Sequence, residues 1–164
     1  MPKKYMKVER IEHGTVIDHI LPARAFDVLR VLRLSNDRSM SILVNTHSKK
    51  GGKKDILKFE DVELSAEEAN LVALISPQAT INYIVDGKLV RKFNTEAPMV
   101  VRGILTCSNP NCITNKNEPI TTEFKRAPDT DQRYVCSYCE RDIEDLVNHV
   151  GTKPSATRRR TRAG

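Results

Sequence analysis

Thr80-Ile81-Asn82-Tyr83-Ile84-Val85-Asp86-Gly87-Lys88-Leu89-Val90-Arg91-Lys92-Phe93 is the stretch that settles the architecture of the N-terminal part of this chain. Two β-branched and aromatic runs flank Asp86-Gly87, a pair suited to a two-residue hairpin turn. Upstream, Ser65 with Glu68 three residues later forms a capping box. It opens a helix that carries Leu71, Leu74 and Ile75 to the core and stops near Pro77. Before that helix, Met40–Val44 and Ile56–Phe59 read as strands, with a polar loop from Asn45 to Lys54 between them. Ala25, Val28, Leu29 and Leu32 recur at i, i+3, i+4 and i+7, the apolar face of an earlier helix that Ser35-Asn36-Asp37 breaks. A first strand, Thr15–Ile20, ends at Leu21-Pro22. The order βαββαβ plus one extra strand implies an α+β fold, a ferredoxin-like sandwich with helices on one face of an antiparallel sheet. The other face is left to be covered, or to serve as a ligand or dimer surface.

Asn94-Thr95-Glu96-Ala97-Pro98 reads as a linker, dividing the chain into residues 1–97 and 98–150. The second unit shows short strands at Ile104-Leu105, Ile120–Phe124 and Arg133–Val135 around four cysteines, Cys107, Cys112, Cys136 and Cys139. Their C-x4-C and C-x2-C pairs each supply two corners of a tetrahedral metal site from a tight turn, which points to structural zinc. Four thiolates leave no open coordination position, so the ion implies no catalysis. A domain this small needs such a staple. Two disulfides or four ordinary buried thiols are the alternatives; against disulfides, Met1-Pro2-Lys3-Lys4 leads into polar sequence without a signal-peptide core, and no apolar run reaches membrane-spanning length. A cytoplasmic chain with reduced thiols is expected.

The net charge of +6 is concentrated at one end: residues 153–164 hold five basic residues and no acid, leaving 22 basic against 21 acidic residues in 1–152. Residues 151–164 are read as a basic, disordered tail. The body is nearly neutral and only 5% aromatic, poor material for a nucleic-acid surface. Lys49, Lys50, Lys53, Lys54 and Lys58, with Lys88, Arg91 and Lys92, form a basic cluster but match no phosphate-loop motif. With Val16 packed inward, alternation puts Asp18 on the same face, and Ile17 with His19 on the other. An acid inside such a strand needs a partner. No catalytic triad, paired catalytic carboxylates or histidine cluster is present in the sequence, so an enzyme is not expected.

Taken in order, Gly14-Thr15-Val16-Ile17-Asp18-His19-Ile20, Gly52-Lys53-Lys54-Asp55, Pro77-Gln78-Ala79-Thr80-Ile81-Asn82 and the two cysteine pairs resemble the regulatory chain of aspartate carbamoyltransferase, across about residues 8–150. The resemblance implies a noncatalytic subunit with an N-terminal allosteric domain binding CTP or ATP, and a C-terminal zinc domain gripping the catalytic chain. It further implies a homodimer within an assembly of two catalytic trimers and three regulatory dimers, controlling pyrimidine biosynthesis.

Residue by residue, the resemblance puts Lys92 on the triphosphate with Lys54 nearby, Asp18 and Lys58 on the ribose hydroxyls, and His19 beside the phosphates. Glu9, Ile11, Val16, Asn82, Ile84 and Leu89 surround base and sugar. Asn109, Asn111, Tyr138, Glu140 and Arg141 fall at the catalytic-chain interface. Gly87 stands where an aromatic side chain lines the base pocket in some members, and the tail after Val150 extends past the usual end. The competing readings are a zinc-ribbon nucleic-acid-binding protein with a basic tail, and an amino-acid sensor of the ACT type, which shares the βαββαβ order.

Overall fold

The computed structural model describes residues 10–34 and 37–151; Glu9, Ser35, Asn36 and the basic tail lie outside them. The first sheet is built from β1 (Gly14–Ile20), β2 (Met40–His47), β3 (Lys53–Glu60), β4 (Thr80–Val85) and β5 (Lys88–Asn94). Helix α1 (Ala25–Leu32) follows β1, and α2 (Ala66–Ile75) follows β3. The spatial order is β2-β3-β1-β4-β5 with every neighbour antiparallel. This is the ferredoxin-like arrangement with the fifth strand added beside β4.

Leu57, Ile17, Ile81 and Phe93 lie opposite one another across four strands. The first three have no exposed surface, and Phe93 is half-buried. Ala25, Val28, Val31 and Leu32 of α1 and Ala69, Val72, Leu74 and Ile75 of α2 join them in one core. Each fully buried Leu, Ile or Phe side chain contributes about 1.5–3 kcal/mol. The side chain of Ser65 accepts the Glu68 N–H at 3.2 Å, as the capping box requires. Gly14 has φ 142°, and a Cβ there would sit 1.9 Å from the Phe59 carbonyl oxygen, so β1 and β3 approach this closely only over glycine.

Several expectations change. Ile17, not Val16, packs inward, and His19 does not follow Ile17 because it adopts φ 54° inside a β-bulge. Leu71 is only half-buried; Ala69 and Val72 take the inward positions. Helix α1 ends at Leu32, where Arg33 turns left-handed at φ 48°, ahead of the expected break. The Asn45–Lys54 loop shrinks to residues 48–52, closed by Ser48 N–H to Gly52 O at 3.1 Å, because a second bulge at Asn45 (φ 53°) lets β2 run on to His47.

Asp55 accounts for that geometry. Fully buried, it accepts the Asn45 N–H at 2.8 Å and the Ala25 N–H at 3.0 Å. Helix α1 has no side-chain cap of its own, so Asp55 caps it from across the sheet.

The second sheet runs β6 (Val100–Arg102), β7 (Glu123–Arg126), β8 (Tyr134–Cys136) and β9 (Asp142–Ile143) in that order. The Ile104-Leu105 segment is not a strand; Leu105 makes only an isolated bridge to Val150. Ile120–Thr122 is irregular, with β7 starting at Glu123. A short helix, α3 (Leu146–His149), packs against α1 and α2. The segment read as a linker is strapped down on both sides. Thr95 donates its N–H to Ala79 O at 2.8 Å; Ala97 O accepts from Arg126 at 2.7 Å, and Pro98 O from the Tyr134 hydroxyl at 2.7 Å.

Replacing Asp55 by Ala removes the acceptor from the buried Ala25 N–H and the part-buried Asn45 N–H. Urea unfolding is expected to report a loss of about 2–4 kcal/mol, whereas a loss below about 0.5 kcal/mol would contradict the capping role.

Candidate functional site: an open sheet face and a four-thiol centre

Opposite residues of an antiparallel ladder share a face. Lys58, Val16, Asn82 and Lys92 are paired across β3, β1, β4 and β5, forming one row on the face away from the helices. At strand spacing the row spans about 14 Å. Asn82 is held by donating from Nδ2 to Val16 O at 3.2 Å. Ile84 lies opposite Gly14 and Leu89. Leu89 and Lys92 are three residues apart, yet both reach this face because Val90 is an extra residue in a bulge. Ile84 is half-buried and Leu89 is 53% exposed, an apolar end to a row that begins and ends in lysine.

Toward the other end of β1, the Asp18 carboxylate is approached from three sides. Lys54 Nζ lies 2.9 Å from its Oδ1, the His19 N–H donates to the same oxygen at 2.6 Å, and the His19 ring stands 3.9 Å away. Burial would raise the Asp18 pKa, but hydrogen bonds from Lys54 and the His19 N–H outweigh it and hold it below 3.8. Thr80, opposite Asp18, places its hydroxyl 3.2 Å from His19 Nδ1 and donates to Asn94 Oδ1 at 3.0 Å. The bulge at His19 thus aims the imidazole sideways along the face.

Two cavities open at the ends of the first sheet, neither of them lined by Lys58, Val16, Asn82 or Lys92. One of about 400 Å³ is lined by His19, Lys50, Lys53, Lys54, Gln78 and Thr80 among others, and is basic on balance, with three lysines against Glu96. The other, about 450 Å³, includes His13, Tyr83, Ile84, Val90 and Arg91 at the hairpin end. Ile11 is buried, and the next residue is pinned to the hairpin by Gly87 N–H to Glu12 O at 2.9 Å. Nothing fills the position of the Gly87 side chain: a Cβ there would meet only Glu12 Oε2, at 3.8 Å.

The structure therefore brings together Val16, Asp18, His19, Lys54, Lys58, Asn82, Ile84, Leu89 and Lys92 on one face. Glu9 lies outside the described residues. Sequence reasoning assigned no role to Asp55, Gln78 or Thr80. Gln78 and Thr80 sit in the quoted Pro77–Asn82 segment, and Thr80 pairs with Asp18 only once the register is known.

In the second unit, Cys107, Cys112, Cys136 and Cys139 bring their sulfurs within 4.8 Å of one another. Cys107 and Cys139 are 3.4 Å apart and Cys112 and Cys136 3.8 Å, too far for disulfides. Four sulfurs around one tetrahedral ion with Zn–S bonds of 2.3 Å would stand about 3.8 Å apart, so the donor set and its spacing fit zinc. Burial pushes the Cys107 thiol up to about 12. At Cys139 burial is outweighed by the Arg141 N–H and neighbouring polar groups, which bring that thiol down to about 7.

Asn109, Asn111, Tyr138, Glu140 and Arg141 all sit on the two cysteine turns. The Asn109 N–H points at Cys107 Sγ at 3.5 Å, and its Oδ1 accepts the Asn111 N–H at 3.0 Å. Cys136 N–H donates to Arg141 O at 2.9 Å, and Glu140 is left-handed at φ 61°. Tyr138 is 48% exposed, and Ile113, beside Cys112, is 46% exposed. Sequence reasoning did not pick out Ile113, since a lone Ile after a cysteine carries no periodicity.

Comparison with known proteins agrees with both halves. Residues 6–96 match the family model described as aspartate carbamoyltransferase regulatory chain, allosteric domain, and residues 99–147 match that chain's metal binding domain. The chain belongs to the aspartate carbamoyltransferase regulatory-chain family. The regulatory chain of Methanococcus maripaludis is 44% identical over 145 residues, covering 88% of this chain and 97% of the relative. Those of Methanocaldococcus jannaschii (43% over 147 residues; 90% and 98%) and Methanopyrus kandleri (44% over 148; 88% and 95%) are similarly close. Family membership makes this a regulatory rather than a catalytic chain, and the metal binding domain coincides with the four-thiol centre.

Two outcomes test these geometries. Because the folded-state pKa of Asp18 is depressed, its contacts add stability in full well above pH 3.8, and that contribution is lost as pH falls through the folded value. Carboxyl NMR titration should therefore find Asp18 titrating below 3.8, moving upward in Lys54→Gln; an unmoved value would refute the ion pair. For the centre, Cys112→Ala should eliminate stoichiometric bound metal and collapse the dispersed NMR signals of the second sheet, while signals of the first sheet persist. A variant that keeps one tightly bound ion per chain would refute the four-ligand assignment.

Proposed function

We propose that the open face of β1, β3, β4 and β5 binds CTP and ATP, and that the chain relays their presence to the catalytic chain of aspartate carbamoyltransferase, the first committed step of pyrimidine biosynthesis. The single observation that carries this reading is the row Lys58–Val16–Asn82–Lys92. It offers cationic groups for phosphates beside an apolar stretch, Ile84 and Leu89, for a base. Asp18, half-buried on the same face, is the acceptor for ribose hydroxyls, and Lys54 and His19 flank the phosphates. Ile11 closes the base end, and the family resemblance adds Glu9, which lies outside the described residues.

Cys107, Cys112, Cys136 and Cys139 hold a zinc ion. When bound, the ion supplies four strong cross-links and, having no open position, no Lewis-acid chemistry. It braces the two cysteine turns on which Asn109, Asn111, Tyr138, Glu140 and Arg141 meet the catalytic chain. The exposed Ile113 and Tyr138 support this surface as the handle.

A nucleotide shifts a catalytic partner only by binding two quaternary states unequally, and a coupling of about 1–3 kcal/mol suffices for a several-fold change in substrate affinity. The packing of α3 on α1 and α2 gives the two halves a shared interior through which to be coupled. The edges of the first sheet support a homodimer. Edge strand β5 carries Lys88, Arg91 and Lys92, whereas Met40–Val44 of the opposite edge strand β2 carries no charge and is free to pair with a second copy. Three such dimers would join two catalytic trimers. No helix among the described residues is long and apolar enough to cross a membrane, in keeping with work in the cytoplasm.

Calorimetric titration of the zinc-loaded chain with CTP tests the reading. Saturable binding is expected, weakened about tenfold or more by Lys92→Ala, since bonds to charged groups contribute about 1.5–3 kcal/mol. Reconstitution with the catalytic chain should then give aspartate saturation curves that shift with CTP and ATP; identical curves with and without nucleotide would exclude a regulatory role for the site.

A further inference from the structure

Lys54 faces two ways. Its ammonium lies 2.9 Å from Asp18 Oδ1, while its side chain lines the basic cavity shared with His19, Lys50 and Lys53. The same Asp18 oxygen accepts the His19 N–H at 2.6 Å. Oδ1 therefore already carries two donors, one for each lone pair. A ribose cis-diol that spans both carboxylate oxygens needs Oδ1. The His19 N–H belongs to a fixed bulge, so the donor that has to leave is the Lys54 ammonium. A phosphate in the adjoining cavity gives that ammonium a new partner; a ligand without phosphate leaves it none.

We propose that Lys54 makes this site selective for phosphorylated nucleotides over nucleosides, by occupying the ribose acceptor Asp18 until a phosphate draws its ammonium into the neighbouring basic cavity. The inference rests on the nucleotide reading above. It assigns Lys54 two opposite effects: attraction for the polyphosphate and competition for the sugar site. A lysine that only contacts phosphate has the first effect alone. Uncharged cytidine separates the two, because it gains nothing from attraction for the polyphosphate.

Titration calorimetry of the zinc-loaded chain with CTP and with cytidine, in the wild type, Lys54→Gln, Asp18→Asn and the double variant, tests this. Lys54→Gln should weaken CTP about tenfold and tighten cytidine about two- to fivefold, the range of a partly exposed ion pair. The tightening should vanish in the Asp18→Asn background, as a coupled pair requires. Lys92→Gln should weaken CTP without any tightening of cytidine. Lys54→Met, which keeps the aliphatic stem, serves the same comparison if the glutamine variant does not fold. Cytidine binding that is unchanged or weaker without the Lys54 ammonium, while CTP still binds the wild type, overturns the selectivity role and leaves the nucleotide site standing. Failure of CTP to bind the wild-type chain overturns the nucleotide site and the selectivity together.

Discussion

A carboxylate with no exposed surface and no cation among its hydrogen-bond partners organises the first sheet. Asp55 is met by two backbone N–H groups, one at the start of α1 and one at the bulge of β2. Hydrogen bonding of this kind offsets the desolvation of a buried acid. Its register partner is Ile20, at the far end of the β1 bulge that contains His19. Three elements are therefore positioned by one side chain on the helix face, and its sequence neighbour Lys54 emerges on the opposite face beside Asp18. The strand thus carries structure on one side and chemistry on the other.

Much of this was legible in the sequence because period-2 and period-3.6 patterns survive wherever one face is buried. β4 runs from Thr80 to Val85 and α1 starts at Ala25, as the patterns suggest. What was not legible are the departures from period. His19, Asn45 and Arg33 adopt positive φ without being glycine; Asn and His visit this region more readily than most residues, but that leaning does not single out one position in a sequence. The inward position of Ile17 rather than Val16 follows from packing, since both are β-branched and apolar and alternation alone does not choose between them. The strapped segment Thr95–Pro98 reads as a linker because its ties are made by distant groups, Arg126 and Tyr134. The candidate nucleotide residues came through resemblance to the family rather than through charge; cross-strand register then supplied a physical reason for residues so far apart in sequence to act together.

The second unit depends on a different constraint. Its strands are two to four residues long, too short to bury a self-sufficient core. Thiol spacing was readable from the cysteine pattern, because ligand geometry constrains sequence spacing tightly. The surface around the thiols was not. An exposed Ile113 has no pattern in one sequence, and Tyr138 was marked only through resemblance to the family; the structure leaves both exposed beside the four-thiol centre.

The extra residue at Val90 has a consequence for which changes the hairpin can absorb. Leu89 and Lys92 face the same side only because the bulge offsets plain alternation. Exchange of one side chain for another on this strand alters a single contact. A change of length does something else: deletion of Val90 would make the ladder regular and leave Leu89 and Lys92, then two apart, on the same face, whereas an inserted residue would turn one of them toward the helices unless a further bulge absorbed it. The hairpin is therefore lopsided toward changes of length: loss of the bulged residue keeps the open face whole, while gain of another breaks it.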